Sequence, residues 1–114
     1  MKNTIKSRKN FNFDDAAVIV LPALVVKYRK RLMKVGEYGI IASKRTFATA
    51  VRRNRARRLI REWMSHCDRP NRFDILFVAR TKILETGLTA GVGQMAKALG
   101  KIKKEGKRPK KRNT

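Results

Sequence analysis

The chain has 114 residues, of which 42% are hydrophobic, so it can form one domain with a modest core. Thirty lysines and arginines against eight acids give a net charge of +22, which makes nucleic acid the expected partner and an anionic membrane surface the second choice. The single cysteine and single histidine exclude an intrachain disulfide and a metal cluster built from these two residue types.

The N-terminal segment is basic and polar, with Phe11 and Phe13 as its aromatic residues, and we expect a short helical turn there. The apolar run 16–26 that follows contains Pro22 and is too short to span a bilayer. It could form the apolar part of a secretory signal, but Asp14 and Asp15 precede it directly and no small-residue cleavage site follows. A cytoplasmic location is therefore favoured.

Three segments have the apolar patterns of β-strands, namely 23–29, 38–43 and 74–80. The first alternates, so Leu24, Val26 and Tyr28 are expected on one face and Val25 and Lys27 on the other. The third is a run of five apolar residues between charges, which is typical of a central strand.

Two amphipathic helices are predicted, at 49–66 and 88–104. The apolar stripe of the first contains Ala56, Leu59, Ile60 and Trp63. Trp63 is therefore interpreted as a core residue and not as a base-stacking platform. The apolar side of the second contains Val92, Met95, Ala96, Leu99 and Ile102. We expect one domain over 1–104 and a disordered basic tail over 105–114, because the tail has no apolar residue to bury.

The order of these elements predicts an α+β fold, a single-domain α/β sandwich with helices on one face of a sheet. Segments 38–43, 49–66 and 74–80 form one β-α-β unit. If its strands are parallel neighbours, the general rule gives a right-handed crossover.

The first helix has six arginines and one acid between residues 50 and 63. Arg53, Arg57 and Arg61 form a row of like charges, and each such pair costs about 0.2–0.5 kcal/mol in an isolated helix. Arg52 also lies in the first turn, where the helix dipole disfavours cations. A solvated face would normally mix charges. A bound phosphate backbone would turn these penalties into favourable contacts, because a guanidinium can hold phosphate oxygens bidentately.

Other interpretations are open at this point. One is a ribosomal or other structural RNA-binding protein. Another is a DNA-binding module with the arginine helix in a major groove, although no helix precedes it at helix-turn-helix spacing. A membrane-active cationic peptide would not need strands and a core. The consecutive residues His66, Cys67 and Asp68 cannot converge on one substrate atom as a catalytic triad does, so no catalytic residue is predicted.

Residues 39–62 (GIIASKRTFATAVRRNRARRLIRE) resemble the bacterial ribonuclease P protein component. That family has a strand ending in S/A-K-K, a short connection, and a helix with the motif A-x-x-R-N-R-x-K/R-R-L-x-R. Lys44 and Arg45 match the lysine pair, and the helix matches the motif from Arg53 onwards. Where many members have glycine in the connection, this chain has Thr-Phe-Ala at 46–48.

The resemblance implies an α-β-β-β-α-β-α order, a mixed sheet of about four strands, and a left-handed β-α-β crossover, opposite to the general rule. It implies a protein subunit of a ribonucleoprotein endoribonuclease, in which RNA with bound divalent metal such as Mg²⁺ performs the hydrolysis. The protein would itself supply neither catalytic groups nor metal ligands. The implied partners are the catalytic RNA and precursor tRNA, from which the 5′ leader is removed, with no membrane and no obligate protein partner.

Two sets of site residues follow from the resemblance. Contact with the RNA subunit is implied for Lys44, Arg45, Arg52, Arg53, Asn54, Arg55 and Arg58. A cleft between the helix and the sheet, which holds the single-stranded leader, is implied to contain Phe11, Val25, Lys27, Arg57 and Arg61. Phe11 would stack on a leader base, a contact of about 1–3 kcal/mol. A core position beneath the sheet is the alternative for Phe11.

Overall fold

The computed structural model describes residues 16–30 and 36–107, which form the predicted α+β fold. In chain order the elements are β1 (Ala17–Val20), β2 (Leu24–Lys30), β3 (Tyr38–Ile41), α1 (Ala50–Ser65), β4 (Phe73–Ala79), a 3-10 helix (Thr81–Glu85) and α2 (Leu88–Lys107). The N-terminal helical turn and Phe11 lie outside the described residues, as does the part of the predicted tail from residue 108 onwards.

The four strands form one mixed sheet in the order β1-β2-β4-β3. β4 pairs antiparallel with β2 and parallel with β3, so β3, α1 and β4 form the predicted β-α-β unit. The left-handed crossover stays a prediction from the resemblance. β1 pairs antiparallel with β2. The turn between them contains Pro22 and is closed by a 2.9 Å hydrogen bond from Leu21 N to Leu24 O.

The two faces of the sheet differ in burial. The face packed under the helices holds Leu24, Val26, Tyr28, Phe73, Ile75, Phe77 and Ala79, all of them buried. On the opposite face Val25 pairs with Val78 and Lys27 with Leu76, and these four side chains are only half-buried. The alternation predicted for β2 is therefore confirmed.

α1 starts at Ala50 because Thr49 caps it, with the Thr49 hydroxyl oxygen accepting a 3.2 Å hydrogen bond from Arg52 N. Three of the four predicted stripe residues, Ala56, Ile60 and Trp63, are fully buried in the common core. Trp63 is thereby confirmed as a core residue.

α2 packs against α1 at a position without a side chain. A Cβ atom on Gly91 would overlap the indole ring of Trp63, so the two helices can approach this closely only because residue 91 is glycine. Ala96, predicted on the apolar side, is exposed, and Ala98 is buried instead. The helix also extends three residues beyond the predicted end at 104, and Glu105 in this added turn accepts a 2.6 Å hydrogen bond from the Tyr28 hydroxyl.

Asp74 is a buried acid at the start of β4, with 2% of its surface exposed. Its carboxylate accepts a hydrogen bond from Glu37 N at 3.0 Å and one from Arg29 Nε at 3.3 Å. Asp74 therefore joins β2, β4 and the residue before β3, which is a structural role.

Candidate nucleic-acid interface

The turn between β3 and α1 presents Lys44 and Arg45. The Ser43 hydroxyl oxygen accepts a 3.2 Å hydrogen bond from Thr46 N and itself donates to the Thr46 hydroxyl at 2.9 Å. Phe47 N donates to Ser43 O at 2.9 Å, and the Phe47 side chain is 2% exposed. Phe47 thus anchors the turn in the core, and both basic side chains remain exposed beside the start of α1.

Arg53 joins α1 to this turn. Its Nη1 donates a 3.0 Å hydrogen bond to Phe47 O and lies 3.4 Å from Ala48 O. The side chain is half-buried, in contrast to the exposed Arg52 and Arg55 on either side of it in the motif. The first arginine of the Arg-Asn-Arg core is therefore directed inward and fixes the geometry of the turn.

The outward surface of α1 is basic, with Glu62 as its one acid. Arg52, Asn54, Arg55, Arg58 and Arg61 are exposed. The first turn of α1 contains no acidic residue. Across residues 16–30 and 36–107, ion pairs join Arg29 to Asp74 and Lys103 to Asp68, and no α1 arginine takes part in one.

Arg57 lies at the border of the buried stripe and is half-buried, whereas Arg61 is exposed. The Arg57 Nη1 donates a 3.1 Å hydrogen bond to the Asn54 side-chain oxygen. A neutral acceptor at position 54 thus orients Arg57 without cancelling its charge. This contact could not be predicted from spacing alone, because positions i and i+3 on a helix are neighbours without necessarily bonding.

At about 100° per residue, the motif residues do not all project from one side of α1. Arg53 and Arg57 lie beside the buried stripe on one side and Arg55 on the other, while Arg58 and Arg61 lie nearly opposite to it. The two components of the predicted leader cleft also lie on different layers. Val25 and Lys27 are on the face of the sheet opposite to the core that α1 covers, while Arg57 and Arg61 are on the helix itself.

Burial raises the pKa of the Cys67 thiol, and the neighbouring Asp68 carboxylate acts in the same direction. The thiol is therefore a poorer nucleophile than an exposed cysteine. In the portion of the chain that the structure describes, no three His, Cys, Asp or Glu residues form a group that could hold a metal ion. Nor does that portion include a helix long and apolar enough to cross a membrane.

Comparison with known proteins assigns the family. The family described as Ribonuclease P matches residues 1–103. No curated protein sequence is significantly similar to the chain. Among solved structures, the ribonuclease P protein from Thermotoga maritima has a TM-score of 0.72 at 23% identity, covering 88% of this chain and 97% of its own.

The Staphylococcus aureus ribonuclease P protein has a TM-score of 0.70 at 23% identity, covering 91% of this chain and 97% of its own. A mutant of that protein, described as defective in mRNA degradation activity, has a TM-score of 0.70 at 24% identity, covering 90% of this chain and 88% of its own. The fold is thus that of bacterial ribonuclease P proteins. Because the family match covers almost the whole domain, the chain belongs to the Ribonuclease P family and is a protein subunit of ribonuclease P.

Proposed function

We propose that this chain binds the catalytic RNA of ribonuclease P and the 5′ leader of precursor tRNA, and so supports removal of the leader. The observation that carries the proposal is the outward surface of α1, which is rich in arginine and whose arginines form no ion pair among the described residues. Arginines without an ion-pair partner suit phosphate binding, because a guanidinium can hold phosphate oxygens bidentately.

Contacts with the RNA subunit are proposed for the turn and the outward residues of α1, namely Lys44, Arg45, Arg52, Asn54, Arg55 and Arg58. Arg53 has a different part. Its hydrogen bond to Phe47 O supports a positioning role, in which it holds the turn against the helix so that both sets of cations meet one RNA surface.

The leader is proposed to lie between Arg57 and Arg61 on α1 and Val25 and Lys27 on the far face of the sheet, with Phe11 stacking on a base. A single strand that meets both layers would have to pass over an edge of the sheet. Phosphate contacts and stacking tolerate many sequences, which a leader site requires.

The hydrolysis is proposed to be the work of the RNA subunit, with Mg²⁺ or a similar divalent ion bound mainly by RNA. The described protein residues do not offer a set of carboxylates, histidines or cysteines that fits such an ion. The contribution of the protein is electrostatic: its cations reduce repulsion between RNA strands that would otherwise require more Mg²⁺.

Reconstitution with a bacterial ribonuclease P RNA tests the proposal. Purified protein should cleave nothing alone and should accelerate precursor-tRNA cleavage by the RNA at low Mg²⁺. Arg55→Ala/Arg58→Ala should lose this effect, and Lys30→Ala/Lys82→Ala, with the same net charge and two exposed sites outside α1, should keep it.

Equal losses in both double variants would contradict the proposal, as would RNA-free cleavage at the mature 5′ end. If the RNA that copurifies with the tagged chain is ribosomal, the alternative of a structural RNA-binding protein replaces it.

A further inference from the structure

The outer surface of α2 has three exposed lysines, Lys97, Lys101 and Lys104, on one side of the helix. They are spaced four and three residues apart, so they form a row about 10 Å long. The described residues place no carboxylate within ion-pair distance of any of them. Glu105, the nearest acid in sequence, is bound to the Tyr28 hydroxyl.

Two glycines lie on the same side of α2, and the packing of the protein does not explain them. A Cβ atom on Gly93 or on Gly100 would meet nothing within 4 Å, whereas one on Gly91 would overlap Trp63. Glycine in the interior of a helix is unfavourable, and a close approach by a ligand is one of the reasons for which it is retained. On the side of α2 that bears the lysines, the helix surface at these two positions therefore has no side chain to keep a ligand away from the backbone.

This surface lies towards the C-terminal end of α1 and away from its first turns. α2 meets α1 at Trp63, and Lys103 reaches Asp68 beyond the end of α1 with a 3.6 Å ion pair. Ten residues separate Arg53 from Trp63, which is on the order of 15 Å along the helix axis. An RNA strand held at the first turns of α1 does not reach the lysine row by contacts with α1 alone.

We propose that the α2 surface formed by Lys97, Lys101 and Lys104 is a second RNA-binding site, which takes the phosphate backbone of another RNA segment without reading its sequence. Lysines are flexible point charges and suit phosphates of variable position, in contrast to the arginines of α1. The site does not depend on which RNA is bound by α1.

The test compares two double variants of the full chain that have the same net charge. Lys97→Gln/Lys104→Gln changes the proposed site, and Lys30→Gln/Lys82→Gln changes two exposed lysines elsewhere. The probe is a plain 24-base-pair RNA duplex, and binding is measured by fluorescence anisotropy at several salt concentrations. We expect the α2 variant to lose about tenfold in affinity and about two counterion-equivalents of salt dependence, and the control variant to lose much less.

A second measurement uses the wild-type chain, so that a folding defect cannot explain the result. Acetylation of lysine amines, followed by mass spectrometry, should show that the RNA duplex protects the three α2 lysines and leaves Lys82 reactive. Equal affinity losses in the two double variants, or equal reactivity with and without RNA, would overturn the proposal. Protection by polyglutamate but not by RNA would assign the surface to an acidic protein and would also overturn it.

Because the probe is not a ribonuclease P RNA, this result is separate from the reconstitution test. The α2 site can be present when reconstitution fails, and reconstitution can succeed when the α2 site is absent.

Discussion

The guanidinium of Arg53 donates a 3.0 Å hydrogen bond to the main-chain oxygen of Phe47, six residues earlier. Charge repulsion alone would make removal of any arginine in this row neutral or slightly stabilising. The hydrogen bond reverses that expectation for Arg53, because Arg53→Ala would leave a half-buried carbonyl without its donor.

Arg53→Ala should therefore lower the free energy of unfolding of the RNA-free protein by about 1 kcal/mol. Arg58→Ala, which removes the same charge from an exposed position, should leave it unchanged or slightly raised. Urea unfolding of both variants checks this. Equal stabilities in the two variants would show that the Arg53 contact contributes nothing.

Two glycines in α2 should respond in opposite ways to the same substitution. Gly91→Ala should destabilise the protein by about 2 kcal/mol or more, because the new methyl group has to displace the Trp63 ring or the whole helix. Gly100→Ala should stabilise it by up to about 1 kcal/mol, since alanine favours the helix and its Cβ meets nothing within 4 Å. Thermal melting of both variants tests this prediction. A lower melting temperature for Gly100→Ala than for the wild type would mean that the space beside residue 100 is not open.

The stability of the protein should depend on pH in alkaline solution through Tyr28. Burial, together with the hydrogen bond and negative charge of Glu105, raises the pKa of Tyr28 from 10.0 to about 12. The folded state therefore favours the neutral phenol. Its stabilising contribution, about 2–3 kcal/mol, is complete below pH 10 and is lost as the pH rises through 12.

Tyr28→Phe should remove this part of the pH dependence between pH 10 and 12. Tyr38→Phe retains the Tyr28–Glu105 hydrogen bond and serves as the matched control, since each variant keeps one of the two tyrosines. The urea midpoint of each variant is measured from pH 10 to pH 12. The difference between the two variants reports on Tyr28, because the lysines that titrate in the same range are present in both. Parallel curves would contradict the prediction.

Arg57→Ala should weaken binding of precursor tRNA with a leader of several nucleotides by about tenfold, the loss of one charge-assisted hydrogen bond. Mature tRNA, which has no leader, should bind almost as before. Arg55→Ala should weaken both, because it acts through the RNA subunit. Binding of both tRNA forms to the reconstituted enzyme at fixed salt gives the comparison. If Arg57→Ala reduces both equally, the leader lies elsewhere.

Removal of residues 108–114 deletes four basic residues and keeps Glu105, which is bound to Tyr28. Nonspecific RNA affinity and its salt dependence should both fall, while activity with the cognate RNA at low salt should largely remain. Removal from 105 onwards should in addition lower the melting temperature, because it breaks the Tyr28–Glu105 bond. Loss of assembly at low salt in the shorter truncation would place the tail in the specific interface.

The elements that could be predicted are those with a local periodic signal. The alternation at Leu24, Val26 and Tyr28 and the stripe at Ala56, Ile60 and Trp63 depend only on strand and helix geometry. Ala96 was placed on the wrong side of α2 because its small side chain gives little indication of which face is buried.

β1 could not be predicted because its sequence lacks the alternation that marks a half-buried strand. It is a short edge strand of four apolar residues, and Val18 and Val20 are 52% and 64% exposed. Without alternation between apolar and polar residues, the run 16–26 has no period that marks a strand.

Contacts within the site depend on distant parts of the chain. Asp74 is buried because Arg29 and Glu37, more than 30 residues earlier, supply donors to its carboxylate. The inward direction of Arg53 depends on the path of the turn between β3 and α1. A helical projection of the sequence does not show that path. The sequence motif therefore predicted which residues are basic and helical, and the fold decides which of them remain available to RNA.

The sheet order has a consequence for how the chain is made. β4 lies between β2 and β3 although it is the last of the four strands to be synthesised, and each β2–β4 pair closes a loop of more than 40 residues. Before residue 79 has emerged from the ribosome, only the β1–β2 hairpin can pair, and an isolated hairpin is marginally stable. The arginine-rich segment is thus complete while the chain is still unfolded, and its self-repulsion opposes collapse. Nearby polyanions would relieve that repulsion, so we expect the nascent chain to fold more readily beside RNA than in free solution.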